Sequence, residues 1–143
     1  MHTTRLSEIM TKDLITVKPN DRFNIVDKLF KQYNFHHLPV VDEHDKLVGI
    51  LSKSDYQTLS SSFSIFNIQR SEKENQRLFS SILVQDVMCK KITKLNPNDT
   101  VQHAANHFKV NLFHAIPIVD DEDKLLGMVT TLDLINLAFL ESA

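Results

Sequence analysis

A duplication governs what this chain can fold into. The stretch FHHLPVVDEHDKLVGILSKSD, Phe35 to Asp55, returns as FHAIPIVDDEDKLLGMVTTLD, Phe113 to Asp133, at a constant offset of 78 residues. The match extends backwards at the same offset. Met10 corresponds to Met88, Pro19-Asn20-Asp21 to Pro97-Asn98-Asp99, and Phe30-Lys31 to Phe108-Lys109. Between Met10 and Leu59, 18 of 50 positions are identical to their counterparts. The punctuation is shared as well. The two glycines, Gly49 and Gly127, are equivalent, and the four prolines form the pairs Pro19 with Pro97 and Pro39 with Pro117. Glycine and proline sit where the backbone has special needs, so both halves are expected to need the same backbone at the same places.

Size and composition narrow the classes further. A chain of 143 residues is one ordinary domain, or two small halves sharing a core. The formal net charge is -2 with both signs interspersed, which argues against the clustered basic face of a nucleic-acid binder. No apolar run approaches a membrane span, and MHTTRLSEIMTKD lacks the apolar core of a signal peptide. The single cysteine, Cys89, has Thr11 as its counterpart and makes no internal disulfide. The expectation is a cytoplasmic protein.

Each half reads in the same order. Ser7 to Met10 starts a helical turn. Leu14 to Val17 is a β-branched run stopped by Pro19, hence a strand. Asn20-Asp21 offers an N-cap, and Phe23, Val26, Leu29, Phe30 and Tyr33 follow at helical period, closed by Asn34. Leu38–Val41 and Leu47–Leu51 read as strands joined by the polar loop 43–46, a hairpin. Their apolar residues fall on alternate positions and between them, which implies a sheet covered on both faces. Lys53 to Ser60 reads as a helix. The second half gives strand 92–95, helix 100–109, strands 116–119 and 125–129, and helix 131–141. Residues 61–83 have no counterpart. Phe63, Ile65, Phe66 and Ile68 are too apolar for a free linker, and 71–83 has helical spacing, so this segment reads as a packed, partly helical connector.

The strand–helix–strand–strand–helix order, with PVVD before a hairpin and a Gly, two apolar residues and [ST]-x-x-D after it, resembles the CBS domain (the cystathionine-β-synthase motif). Two copies resemble the tandem pair called a Bateman module, over roughly residues 5–60 and 82–141, with the repeats themselves bounded at 5–60 and 84–141. The resemblance implies an α/β (α+β) fold, two β-α-β-β-α repeats packed with pseudo-two-fold symmetry, and a disc-shaped homodimer. It implies a non-enzymatic regulatory module that binds an adenosine-containing ligand in the cleft between its repeats. That ligand is AMP, ADP, ATP or S-adenosylmethionine, with no required cofactor. An unidentified effector protein is the implied partner, with no nucleic acid and no membrane.

Ser52-x-x-Asp55 and Thr130-x-x-Asp133 stand where a strand gives way to a helix. A helix N-terminus favours phosphate, a hydroxyl adds a donor, and a carboxylate can accept both hydroxyls of a ribose. The family's ribose-binding Asp and phosphate-side Ser/Thr match these positions. The same tetrapeptide is also a capping box that needs no ligand, and both readings can hold. Thr16-Val17 in the first repeat and Lys94-Leu95 in the second match the family's base-lining positions, where the backbone reads the purine edge. Lys94 in place of Thr16 makes the two sites unequal. Lys53 is placed to reach a phosphate, whereas its counterpart Thr131 carries no charge. His37, just before Leu38-Pro39, matches a basic family position; the second copy has Ala115, beside His114 and ahead of Pro117.

Two rival readings remain. The module is structural or oligomeric, its [ST]-x-x-D motifs being caps only. Or His103 and His107, four apart on one helix face, sense a metal or pH, although no third ligand is evident. Cys89 beside Lys90-Lys91 has a basic setting but no catalytic neighbours.

Overall fold

The structure is a computed structural model, and it describes residues 3–66, 72–110 and 114–142. A 3-10 turn at Leu6–Glu8 precedes α1 (Phe23–Gln32), β1 (His37–Val41), β2 (Leu47–Ser52), α2 (Lys53–Phe66), α3 (Glu72–Ser80), α4 (Val84–Val87), α5 (Val101–Val110), β3 (Ala115–Val119), β4 (Leu125–Thr130) and α6 (Thr131–Ser142). β1 pairs with β2, and β3 with β4. All five residues of β3 are buried, and so are the last four of β1, which puts apolar packing on both faces of these strands as expected. In β2, burial alternates. The loops between paired strands turn on Asp45 and Asp123, both left-handed at φ 63° and 65°. Aspartate is one of the few non-glycine residues that tolerate that region.

The compact units do not follow the order of the repeats. One comprises Met1–Leu14, His44–Leu47 and Thr93–Ala143; the other comprises Ile15–Glu43 and Val48–Ile92. Each repeat's sheet is therefore completed by the leading segment of the other. Thr11 exchanges both backbone hydrogen bonds with Met128 (2.9 and 3.0 Å), and Cys89 does the same with Ile50 (2.9 and 3.0 Å). The same segments serve helix starts. The Phe23 N–H donates to the Ile82 carbonyl and the Val101 N–H to that of Thr4, each at 2.8 Å. The sequence expectation of an Asn20-Asp21 cap on α1 is corrected here. The N-cap is Arg22 without a side-chain bond, and Asp21 instead accepts the Lys18 N–H at 2.8 Å.

The strands expected at 14–17 and 92–95 shrink to single bridging residues, Val17 against Val40 and Leu95 against Ile118, both parallel. The duplicated prolines explain this. Val17 donates to the Pro39 carbonyl and accepts from the Val41 N–H; the next rung needs an N–H from residue 39, which proline lacks. Pro117 stops the second copy in the same way at Leu95.

The unit built on β1 and β2 packs Val17, Phe23, Val26, Phe30, Leu38, Val40, Leu51, Tyr56, Phe79 and Val84 into one core. Rings dominate it: Phe30 stacks on Tyr56 at 5.0 Å and Phe23 meets Phe79 at 5.5 Å. The other unit has a smaller core of Leu6, Val101, Ala104, Ile116, Ile118 and Val129. The structure extends the helix expected at 53–60 to Phe66 and gives the helix expected within 71–83 as Glu72–Ser80. The packing expected of Phe63, Ile65, Phe66 and Ile68 concerns side chains outside the described residues, as does Phe113. Among the described residues, no helix is long and apolar enough to cross a membrane.

Neither glycine has positive φ. Each is needed for close approach instead. A Cβ on Gly49 would lie 2.3 Å from Met88 Sδ, and one on Gly127 would lie 2.7 Å from Met10 Sδ and 2.9 Å from the Thr11 carbonyl oxygen. The duplicated glycines and the duplicated methionines are thus partners, each glycine meeting the methionine of the other repeat.

Candidate functional site

Both strand-to-helix junctions are built alike in the backbone. The Lys53 N–H donates to the His36 carbonyl at 2.8 Å, and the Thr131 N–H to the His114 carbonyl at 3.1 Å. His36 and His114 therefore act through their main chain, while both side chains are exposed. These bonds bring the end of β2 to the start of β1. His37, half-buried, lies at that same end. In the second sheet, Ala115 sits directly opposite Thr130. Ala115 is buried and offers no polar group there.

The side chains at the two junctions differ. In the second copy the Thr130 N–H donates to Asp133 Oδ2 (2.9 Å), and the Asp133 N–H donates to Thr130 Oγ1 (3.1 Å). This is a closed capping box, with both groups of the motif occupied. In the first copy only half of it forms. The Asp55 N–H donates to Ser52 Oγ at 3.0 Å, and Ser52 Oγ also lies 3.0 Å from Ser54 Oγ. The Asp55 carboxylate has no hydrogen bond or ion pair among the described residues. It lines a cavity of about 300 Å³ whose apolar walls are Phe23, Leu51, Leu59 and Val87, with Thr58 and Ser62 along α2.

The backbone at the positions expected from the resemblance to line a base divides in two. Val17 and Leu95 spend both backbone groups on β1 and β3, through the carbonyls of Pro39 and Pro117 and the N–H groups of Val41 and Val119. Strand alternation turns the N–H and C=O of Thr16 and Lys94 the other way, and neither residue makes a backbone hydrogen bond among the described residues. These open edges can offer a donor and an acceptor to a planar ring. The Lys94 ammonium is 2.9 Å from Asp123 Oδ1, an ion pair with no equivalent at Thr16. Lys53 is half-buried beside the open junction.

Residues expected from the sequence are thus gathered by repeat: Thr16, Val17, His37, Pro39, Ser52, Lys53 and Asp55 around one sheet, and Lys94, Leu95, His114, Pro117, Thr130 and Asp133 around the other. His103 is occupied locally. Its Nδ1 accepts the Thr100 N–H at 3.2 Å and lies 3.9 Å from Asp99 Oδ1, at the start of α5. Among the described residues, no three His, Cys, Asp or Glu side chains gather as a metal site. Cys89 is exposed, its thiol 3.4 Å from the Lys91 carbonyl.

Sequence reading missed a buried charge. Asp27 is 2% exposed, the one charged residue in the buried set of the described residues. It accepts from the Tyr56 hydroxyl and from Gln76 Nε2 (2.9 Å), and pairs with Lys31 at 3.1 Å. Burial, and secondarily the bond to Asp27 and its charge, push the Tyr56 phenol up to about 12. The network ties α3, which has no repeat counterpart, to α1 and α2. Its signal was present in the sequence: Asp27 falls inside the apolar stripe of α1, between Phe23 and Phe30.

Comparison with known proteins gives one family. The family model that matches is that of the CBS domain, at residues 6–59 and again at 84–139. Among curated relatives, inosine-5′-monophosphate dehydrogenase of Methanocaldococcus jannaschii is 28% identical over 132 residues. That match takes in 92% of this chain, and the chain spans 23% of the dehydrogenase. Among solved structures, CBSX2 of Arabidopsis thaliana in complex with AMP superposes with a TM-score of 0.80 at 22% identity, covering 98% of this chain and 99% of that one. The CBS domain pair of protein MJ0100, in complex with 5′-methylthioadenosine and S-adenosyl-L-methionine, gives a TM-score of 0.72 at 24% identity, covering 97% and 98%.

Proposed function

The chain belongs to the CBS-domain family, with two copies of the domain, and from this we propose that it is a regulatory module for an adenosine-containing ligand. The ligand is AMP, ADP, ATP or S-adenosylmethionine. Its binding modulates a separate effector protein, and the module acts as a homodimer without catalysing a reaction.

The observation that carries the reading is the open carboxylate of Asp55 beside the Ser52 hydroxyl, on the same sheet as the unpaired edge of Thr16. AMP and 5′-methylthioadenosine, bound by the structural neighbours, share an adenosine and differ in charge at the 5′ end. Groups that read the shared part must therefore address the purine edge and the ribose diol. Backbone N–H and C=O suit the first, and a carboxylate with two acceptor oxygens suits the second. Ser52, Lys53 and His37 then meet the 5′ substituent at the start of α2, where the helix dipole favours an anion.

The two copies are unequal in this reading. At the first, Asp55 accepts a ribose without breaking an existing bond. At the second, Asp133 must release the Thr130 N–H, and Lys94 is held by Asp123. The first repeat is therefore the site that fills first. A second reading, a purely structural module, is favoured by the closed Thr130–Asp133 box, which is satisfied without a ligand.

A thermal-shift panel separates the two readings. It contains AMP, ADP, ATP, S-adenosylmethionine, 5′-methylthioadenosine, NAD and guanine nucleotides. A ligand at 100 times its Kd adds about 2.7 kcal/mol of stability, several degrees for a chain of this size. The expected result is a shift with an adenosine compound that Asp55→Ala abolishes and Asp133→Ala largely keeps. No shift with any compound leaves the structural reading standing, and a shift that survives Asp55→Ala moves the site elsewhere.

A further inference from the structure

A second cavity lies between α1 and α3. Its volume is about 640 Å³, within the range of small-molecule sites. Asn24, Ile25, Lys28, Lys31 and Gln32 of α1 form one wall and Gln76 of α3 the other. The buried Asp27 also lines it and holds two of these side chains. Its Oδ2 is 3.1 Å from the Lys31 ammonium and accepts from Gln76 Nε2 at 2.9 Å. A buried charge is tolerated only where partners offset its desolvation, so a cation and an amide are fixed in the wall before anything enters. Two groups are left over. Asn24 Oδ1 is buried without a hydrogen-bond partner among the described residues. Buried amide oxygens are nearly always satisfied, and this one calls for a donor from outside the chain. Lys28 is exposed and makes no hydrogen bond or ion pair among the described residues.

The fold does not demand this set. The equivalent positions of α5 carry Gln102, His103, Ala105, Asn106 and Val110, with lysine kept only at Lys109. There Gln102 Nε2 donates to Asn106 Oδ1 at 2.9 Å, so the counterparts of Asn24 and Lys28 satisfy each other across one helical turn. We propose that the cavity between α1 and α3 binds a small organic oxyanion, a carboxylate or a phosphate monoester, that also carries a hydroxyl or amino group. Charge selects the oxyanion: Lys28 and Lys31 against Asp27 leave one positive charge on the wall, with the amides of Gln32 and Gln76 as further donors. The unpartnered Asn24 oxygen selects the hydroxyl or amino group. A water would satisfy Asn24 and leave Lys28 unmatched. Ile25, 41% exposed, offers an apolar side to a short carbon skeleton.

The inference uses none of the residues assigned to the adenosine ligand and stands without that reading. Its test is amide-resolved NMR of the isotope-labelled full chain, titrated with glycerate and with glycerol 3-phosphate. Acetate and glycerol serve as controls that carry the anion or the hydroxyls alone. At least one of the two hydroxy-anions should shift the α1 amides and the Gln76 side-chain amide, saturating with a Kd of about 1 mM or tighter. The tighter of the two names the head group, and both controls should bind at least roughly tenfold more weakly. Lys28→Gln should weaken binding about tenfold, while Lys109→Gln on α5 leaves it unchanged. Asn24→Leu should abolish binding yet melt no lower than wild type, because it removes an unsatisfied buried carbonyl. A purely structural Asn24 predicts the reverse, a lower Tm with binding kept, and that result overturns the site. Lys28, exposed, keeps the test decisive if Asn24→Leu fails to fold. No saturable shift on α1 with either hydroxy-anion overturns the proposal, as do shifts confined to Ser52 and Lys53 that survive Lys28→Gln. Loss of the adenosine reading in the thermal-shift panel, with the α1 shifts retained, leaves this site standing.

Discussion

Replacing Gly49 with alanine tests why glycine is duplicated. The added Cβ would stand 2.3 Å from Met88 Sδ, 2.7 Å from its Cγ and 3.1 Å from its Cβ, so the methionine must move. Overpacking of this kind costs about 1–3 kcal/mol. Against it, alanine restricts the unfolded chain and returns about 0.4–1 kcal/mol, because φ at this position is not positive. The net loss is about 1–2 kcal/mol, or a few degrees in Tm. Gly127→Ala should cost more. Its Cβ meets the Thr11 carbonyl oxygen at 2.9 Å, and that oxygen is fixed by the Met128 N–H, so it has no rotamer to escape into. Urea unfolding of a double-mutant cycle measures both. Met88→Ala should recover most of the Gly49→Ala loss, a coupling of about 1 kcal/mol. Met10→Ala should recover less of the Gly127→Ala loss, because the carbonyl remains. A Gly49→Ala protein as stable as wild type with Met88 intact, or one whose loss is unchanged by Met88→Ala, would refute the close-approach argument.

Two further predictions concern bonds described above. The Tyr56 phenol, raised to about 12 from an ordinary 10.0, favours the folded state fully below pH 10 and loses that contribution as pH rises toward 12. The urea midpoint should therefore fall over that window in wild type and fall less in Tyr56→Phe. The same variant should cost about 1–3 kcal/mol at neutral pH, because the buried Asp27 loses a donor. Without ligand, Asp133→Ala should lose about 1 kcal/mol with its capping box, whereas Asp55→Ala should leave stability nearly unchanged. Chemical denaturation of the two variants side by side checks this.

The strand pairs and their helices were legible because alternation, helical period and the Gly and Pro positions all agree there. α1, β1 and β2 begin and end within two residues of their expected bounds. The lost strands at 14–17 and 92–95 were not legible from their own residues. Their length is set by the donors that Pro39 and Pro117 lack, on a neighbouring strand. The cap expected on α1 failed for a similar reason, since backbone carbonyls from a distant segment satisfy the helix start. The motif residues of the candidate site were visible by equivalence alone. What equivalence concealed was the difference between the copies. Identical aspartates occupy a closed box in one and an open junction in the other. Asp27, whose counterpart is Ala105, is the clearest case of a feature that comparing the halves could not supply.

The crossed leading segments bear on how such a chain can change over generations. Met10 presses on Gly127 and Met88 on Gly49, so each contact is shared between the two descendants of the duplication. A change in one repeat must be answered in the other. That explains why Gly49 and Gly127 are matched in the two halves together with Met88 and Met10. It also means that neither half carries its own complete fold. A single copy of the repeat would have to borrow its leading segment from a second chain, an exchange that the tandem arrangement makes internal.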